Sequence, residues 1–170
     1  MTIDESARRL GHLRWLEERL FEVLGGWVQT TAETEPKLAF ARHSYHHAWH
    51  AELLERCLPD TRDHDPEALT APAGDDWRNA IDALRAVDST PARVIGVYGA
   101  IVPALIDAYE RFRSQASPVR DAAAIRWVGI VLADVQADAA EAAHMLRWAR
   151  DHPDGAAGAA LGKGIRFPEP

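Results

Sequence analysis

Four stretches of this chain place apolar residues at three- and four-residue intervals, the repeat of one face of an α-helix. In the first, Leu10, Leu13, Leu20, Leu24 and Trp27 form the stripe, with Glu17 lying within it. Asp4 or Ser6 is placed to cap its start, and Gly25-Gly26 followed by "TTAETEP" marks its end. The second opens at Thr34-Glu35-Pro36, where proline is tolerated because a first-turn N–H has no helical partner, and Pro59 stops it. The third begins at Thr90-Pro91 and carries Val94, Tyr98, Ile101, Leu105 and Phe112. The fourth begins at Ser117-Pro118 and runs to about Arg150, before "DHPDG".

The connections set the expected topology. Short links join the first stretch to the second and the third to the fourth, so each pair should fold as an antiparallel hairpin. The middle link, 59–89, has about thirty residues, and at roughly 3.3 Å each it is long enough to run the length of a helical bundle. Within it, Trp77, Ile81 and Leu84 suit one or two amphipathic turns. The expectation is a single all-α domain over 1–150, two helical hairpins joined by a long crossover. Residues 151–170 follow as an extended or mobile tail with only Ile165 and Phe167 to pack. Pro103 deprives the Gly99 carbonyl of its usual donor and predicts a kink near mid-height of the third helix.

The second and fourth stripes carry polar residues where core is due. On the second, Phe40 and Leu54 flank His43, His47 and His50, with Tyr45 and Trp49 on the side and His46 turned toward solvent. On the fourth, Trp127, Val131, Met145 and Trp148 enclose Asp134, Asp138 and Glu141, with His144 one turn further on. A buried carboxylate must be paired, hydrogen-bonded or bound to a metal, because leaving it bare costs several kcal/mol. Imidazoles on one helix and acids on another supply that pairing. They predict a polar cavity at mid-height, with Tyr98 and Trp49 as further pocket residues.

Glu141-Ala-Ala-His144 resembles the Glu-x-x-His element of the ferritin-like di-metal carboxylate proteins, and His47-Ala-Trp-His50 stands where that family carries its other copy. The resemblance spans about Leu10 to Arg150. It implies a ferritin-like four-helix bundle and a metal held by Glu18, His47, His50, Glu141 and His144, Glu18 (or Glu17) lying about thirty residues before His47. Glu110 has a similar offset before Glu141. His47 replaces a carboxylate, and imidazole does not bridge two cations, so an altered site is implied. Three readings stay open. The first is metal-assisted oxidation at iron, or at manganese or zinc. The second is a metal-free enzyme in which His43, His47 or His50 is the general base, oriented by Asp134, Asp138 or Glu141. The third is a non-catalytic ligand-binding or assembly bundle.

Composition narrows the partners. The 170-residue chain is large enough for a proper core, and its net charge of −7, with no basic face, argues against nucleic acid. The longest uncharged run, Val94 to Ile106, is broken by Pro103 and is short for a bilayer span. The start "MTIDESARRL" lacks an apolar signal region, and the single cysteine, Cys57, suits a reducing cytoplasm as a buried inert thiol. The expected setting is a cytoplasmic protein acting on a small molecule, away from membranes, and paired as a homodimer through aromatic helix faces.

Overall fold

The computed structural model describes residues 1–161. They are almost wholly helical, and among them there is no strand, only an isolated bridge between Thr61 and His64. Helix α1 (Ile3–Trp27) starts at a capping box on Thr2, two residues before Asp4, the nearer of the expected caps. Thr2 accepts from the Glu5 N–H while the Glu5 carboxylate accepts from the Thr2 N–H. Helix α2 is Thr34–Glu55. In the crossover, α3 (Pro66–Leu69) is capped by Asp65, and α4 (Asp75–Arg85) buries Trp77, Ile81 and Leu84 on one face. Helix α5 (Thr90–Gly96), capped by Ser89, continues through a π-helical turn, Val97–Ile101, into α6 (Val102–Gln115). Helix α7 is Ala122–Asp151, so residues 117–121 form the turn before it rather than its first residues.

Named contacts give the helix directions. Ser44 donates to the Phe21 carbonyl, and Arg14 reaches Glu55, so α1 and α2 are antiparallel. Arg9 meets Gln115 at one end of α1 and Arg93 donates to Thr30 beyond the other, so the α5–α6 rod is antiparallel to α1. Glu35 pairs with His144 and Asp134 with His50, which sets α7 antiparallel to α2. The core fills the space between these four long segments: Leu13, Leu16, Leu20, Leu24, Phe40, Leu54, Ile101, Leu105, Tyr109, Phe112, Val128 and Val131 are all essentially buried. The crossover runs beside α1 from end to end. His64 contacts Asp4, His12 contacts the Ala71 carbonyl at 2.8 Å, and Arg85 pairs with Glu22.

Pro103 does not break its helix. Lacking an N–H and clashing with the carbonyl four residues back, it is absorbed by the π turn, in which the Val102 N–H reaches Val97 five residues back. The resulting helix, Thr90–Gln115, is thereby long and apolar enough to cross a membrane by length and composition. However, 67 % of its most apolar window is buried against the other helices, as in a core helix. The segment after α7 is not extended over its described part: Pro153–Gly155 is a 3-10 turn and α8 (Ala156–Ala159) packs on α5. Ile165 and Phe167 lie outside the described residues.

Gly11 marks the closest approach of the crossover. A Cβ there would sit 2.1 Å from the Leu69 carbonyl oxygen, whereas one on Gly26 would meet nothing within 4 Å. Gly11→Ala is therefore expected to lower stability by about 1–3 kcal/mol through displacement of α3. Gly26→Ala should raise it by up to about 1 kcal/mol through helix propensity. Chemical denaturation of the two variants checks both signs.

Candidate metal centre

The centre of the polar layer is a carboxylate from α1. Glu17 is fully buried on the stripe between Leu13 and Leu20, one residue from the expected Glu18. Its Oε2 accepts from His47 Nδ1 at 2.5 Å and, more weakly, from His50 Nδ1 at 3.4 Å. Its Oε1 accepts from the Tyr109 hydroxyl of α6 at 2.6 Å. On its other side, His50 Nε2 points to Asp134 Oδ2 of α7 at 3.4 Å. Every long segment therefore contributes at this level, α2 with two groups and the others with one each. A donor atom from each of Glu17, His47 and His50 lies within 4.8 Å of the other two.

The charges follow from this packing. Burial by itself would push the Glu17 carboxyl up, yet the facing His47 and His50 charges and hydrogen bonds outweigh it and hold the group at about 2. Burial pulls the opposite way on His50, but Glu17 and the Asp134 hydrogen bond leave its pKa above the ordinary value. Tyr109, desolvated and beside the Glu17 charge, is held well above the ordinary phenol and stays a donor.

One turn earlier on α2 stands a second grouping. His43 is fully buried, and its Nδ1 lies 2.7 Å from the Tyr98 hydroxyl, which the π turn places there. Its Nε2 faces Asp138 Oδ1 at 3.4 Å and Glu141 Oε2 at 3.8 Å without making a hydrogen bond. Burial holds His43 down at about 4, so it is neutral near pH 7. His46, expected in solvent, is half-buried and bonds both Asp138 oxygens at 3.0 and 2.9 Å.

The ligand set that the resemblance implied is thus not assembled in one place. His47 and His50 come together, but Glu18 is turned away to Arg14 and Arg19. His144 lies on the surface against Glu35 at 2.5 Å, and Glu141 pairs with Arg42 outside the His47–His50 level. Glu110 is exposed and accepts from Gln136. Trp49 is part-exposed on the flank of α2, its ring 6.0 Å from that of His50. Cys57 is half-buried with its thiol raised to about 11, in keeping with an inert role. Two residues were undervalued in the sequence: Glu17, whose signal was a charged residue inside the Leu13–Leu20 series, and Tyr109, one turn before Phe112. Arg14, buried and joined to Glu18, Glu55, Glu67 and Thr70, gave no signal.

The pH dependence of stability follows for protein treated with chelator. Glu17 contributes stability that is present above its ordinary 4.5 and lost as pH falls toward 2. His43 resists protonation when folded, so between 6.5 and about 4 the unfolded chain binds more protons and stability drops as pH falls. His50, raised in the folded state, adds stability below 6.5 that is lost as pH climbs through its higher folded value. Thermal melts across pH are expected to peak near 6.5. His43→Phe is expected to flatten the side between 6.5 and 4.

No family model, no curated protein and no solved structure matches this chain.

Proposed function

We propose that this chain is a ferritin-like helical bundle that binds one redox-active divalent metal, iron in the first place, at Glu17, His47 and His50 and uses it to oxidise a small molecule. The observation that carries the reading is the convergence of these three buried donors within 4.8 Å. Two imidazoles and one carboxylate are the donor set of non-haem iron oxygenases, which leave positions open for oxygen and substrate. A bound metal would supply Lewis acidity and one-electron chemistry; the chain does the rest. Tyr109 holds Glu17 by its second oxygen and fixes the carboxylate plane. Asp134, with a side chain 40 % exposed, is the link between His50 and solvent and is placed to move a proton in or out. The apolar residues above and below, Leu13, Leu20 and Leu54, exclude water from the remaining sides. Antiparallel α1–α2 and α6–α7 packing with the crossover along α1 supports the bundle assignment.

A metal-free reading has its own observation. Both Glu17 oxygens already accept hydrogen bonds, at 2.6 Å from Tyr109 and 2.5 Å from His47. In that case His50, kept basic by Glu17 and open toward Asp134, would serve as general acid–base group.

Protein purified without chelators and titrated anaerobically with Fe(II) separates the two. The metal reading expects wild type to take up one more equivalent than Glu17→Gln or His47→Ala. It also expects a nitric oxide adduct of bound Fe(II) that both variants lose. Equal uptake by wild type and both variants would falsify it and leave the acid–base reading.

A further inference from the structure

Among the described residues, His43 carries a fully buried ring nitrogen that bonds to nothing. Its ring is fully enclosed, yet Nε2 lacks a hydrogen-bond partner while two carboxylate oxygens stand at 3.4 and 3.8 Å. Neither tautomer resolves this. If Nδ1–H donates to Tyr98, the Nε2 lone pair faces two anions; if Tyr98 donates to Nδ1, the Nε2 proton points at acceptors without bonding geometry. A buried polar atom in this condition calls for a partner that the three groups share.

We propose that His43 Nε2, Asp138 and Glu141 form a second divalent-cation site, of the zinc type, between α2 and α7. The separations suit a metal better than a proton. With bonds of about 2.0–2.2 Å to nitrogen and oxygen, a tetrahedral ion holds its donors roughly 3.3–3.6 Å apart. The His43–Asp138 distance of 3.4 Å is within that span; Glu141, exposed and 3.8 Å from His43, has to swing in by a rotamer change to close the set, because among the described residues only Glu17, His47 and His50 already bring three donors within 4.8 Å of one another. Each donor is also braced, as metal ligands commonly are. Tyr98 orients His43 through Nδ1, His46 bonds both Asp138 oxygens, the Oδ1 that faces His43 among them, and Arg42 pairs with Glu141 Oε1, which leaves Oε2 on the His43 side. Glu141, on the rim, leaves the fourth position facing water. The site is separate from the one at Glu17 and goes beyond it. One turn of α2 divides His43 from His47.

Zn(II) and Co(II) titrations of the chelator-stripped full chain test this, read by equilibrium dialysis and by the visible absorption of tetrahedral Co(II). Wild type is expected to bind two equivalents. Glu17→Gln should keep one, with the tetrahedral Co(II) bands, and His43→Phe should lose those bands and one equivalent. Asp138→Asn provides the same reading if His43→Phe does not fold. Tyr98→Phe, which keeps the ring, is expected to weaken the second equivalent by about 10–100-fold. The proposal is overturned if His43→Phe and Asp138→Asn bind as wild type does, or if Glu17→Gln binds no metal. Should His43→Phe bind none while Glu17→Gln keeps one, the second site stands and the reading at Glu17 falls.

Discussion

A carboxylate sealed inside a helical protein has to be answered by the helices around it, and Glu17 is answered directly by two of them and through His50 by a third. Its two oxygens accept from α2 through His47 and His50 and from α6 through Tyr109. His50 then passes the interaction on to α7 through Asp134. Truncating one partner of such a buried set typically costs about 3–5 kcal/mol, because the other charge is left uncompensated. Apolar contacts alone tolerate rotation and sliding of one helix past another. Directed bonds to a single carboxylate do not, so this group fixes the register of all the long segments at mid-height.

The remaining architecture serves to hold those segments at that height. The crossover is laid along α1, with Gly11 letting the Leu69 carbonyl come within the space a side chain would fill. Buried Arg14 ties the same region together, joining α1 to α3 through Glu67 and Thr70 and to the end of α2 through Glu55. On the far side, the π turn lets the rod carrying Pro103 stay continuous and widens it where Tyr98 must reach His43. A proline in an ordinary helix interior costs roughly 3 kcal/mol and kinks or breaks the helix. Here the strain is absorbed in the turn that places a tyrosine against a buried histidine.

The α2–α7 contact is therefore unusual in its chemistry. It is built on imidazole facing carboxylate at successive turns, with His50 on Asp134, His46 and His43 on Asp138, and His144 on Glu35. Pairs of this kind are soft: each is strong or weak according to where a proton or a cation resides. A protein that needed only to join two helices would do so more stably with hydrocarbon. Ionisable groups are concentrated at this interface, and through His50 they link the buried Glu17 to the part-exposed Asp134.

Much of this was legible in the linear chain. The four long helical segments, the short and long connections and the all-α class follow from periodicity and loop length, which are local properties. The histidines of α2 and the acids of α7 stood out because charge inside an apolar stripe is anomalous wherever the stripe ends up. Which of them meet was not legible. A helix turns 100° per residue, so Glu17 and Glu18 differ little as letters but point to the core and to Arg14 respectively. Glu141 and His144 sit one turn apart on α7, yet the crossing of α7 over α2 gives the first to Arg42 and His43 and sends the second to the surface with Glu35. Tyr109 and Tyr98 had no partners until the rod came alongside, and the π turn that carries the helix through Pro103 had no signature in the spacing of its residues. Sequence determined which segments are helical and which residues are out of place in them; rotation and crossing, set by the assembled core, decided who faces whom.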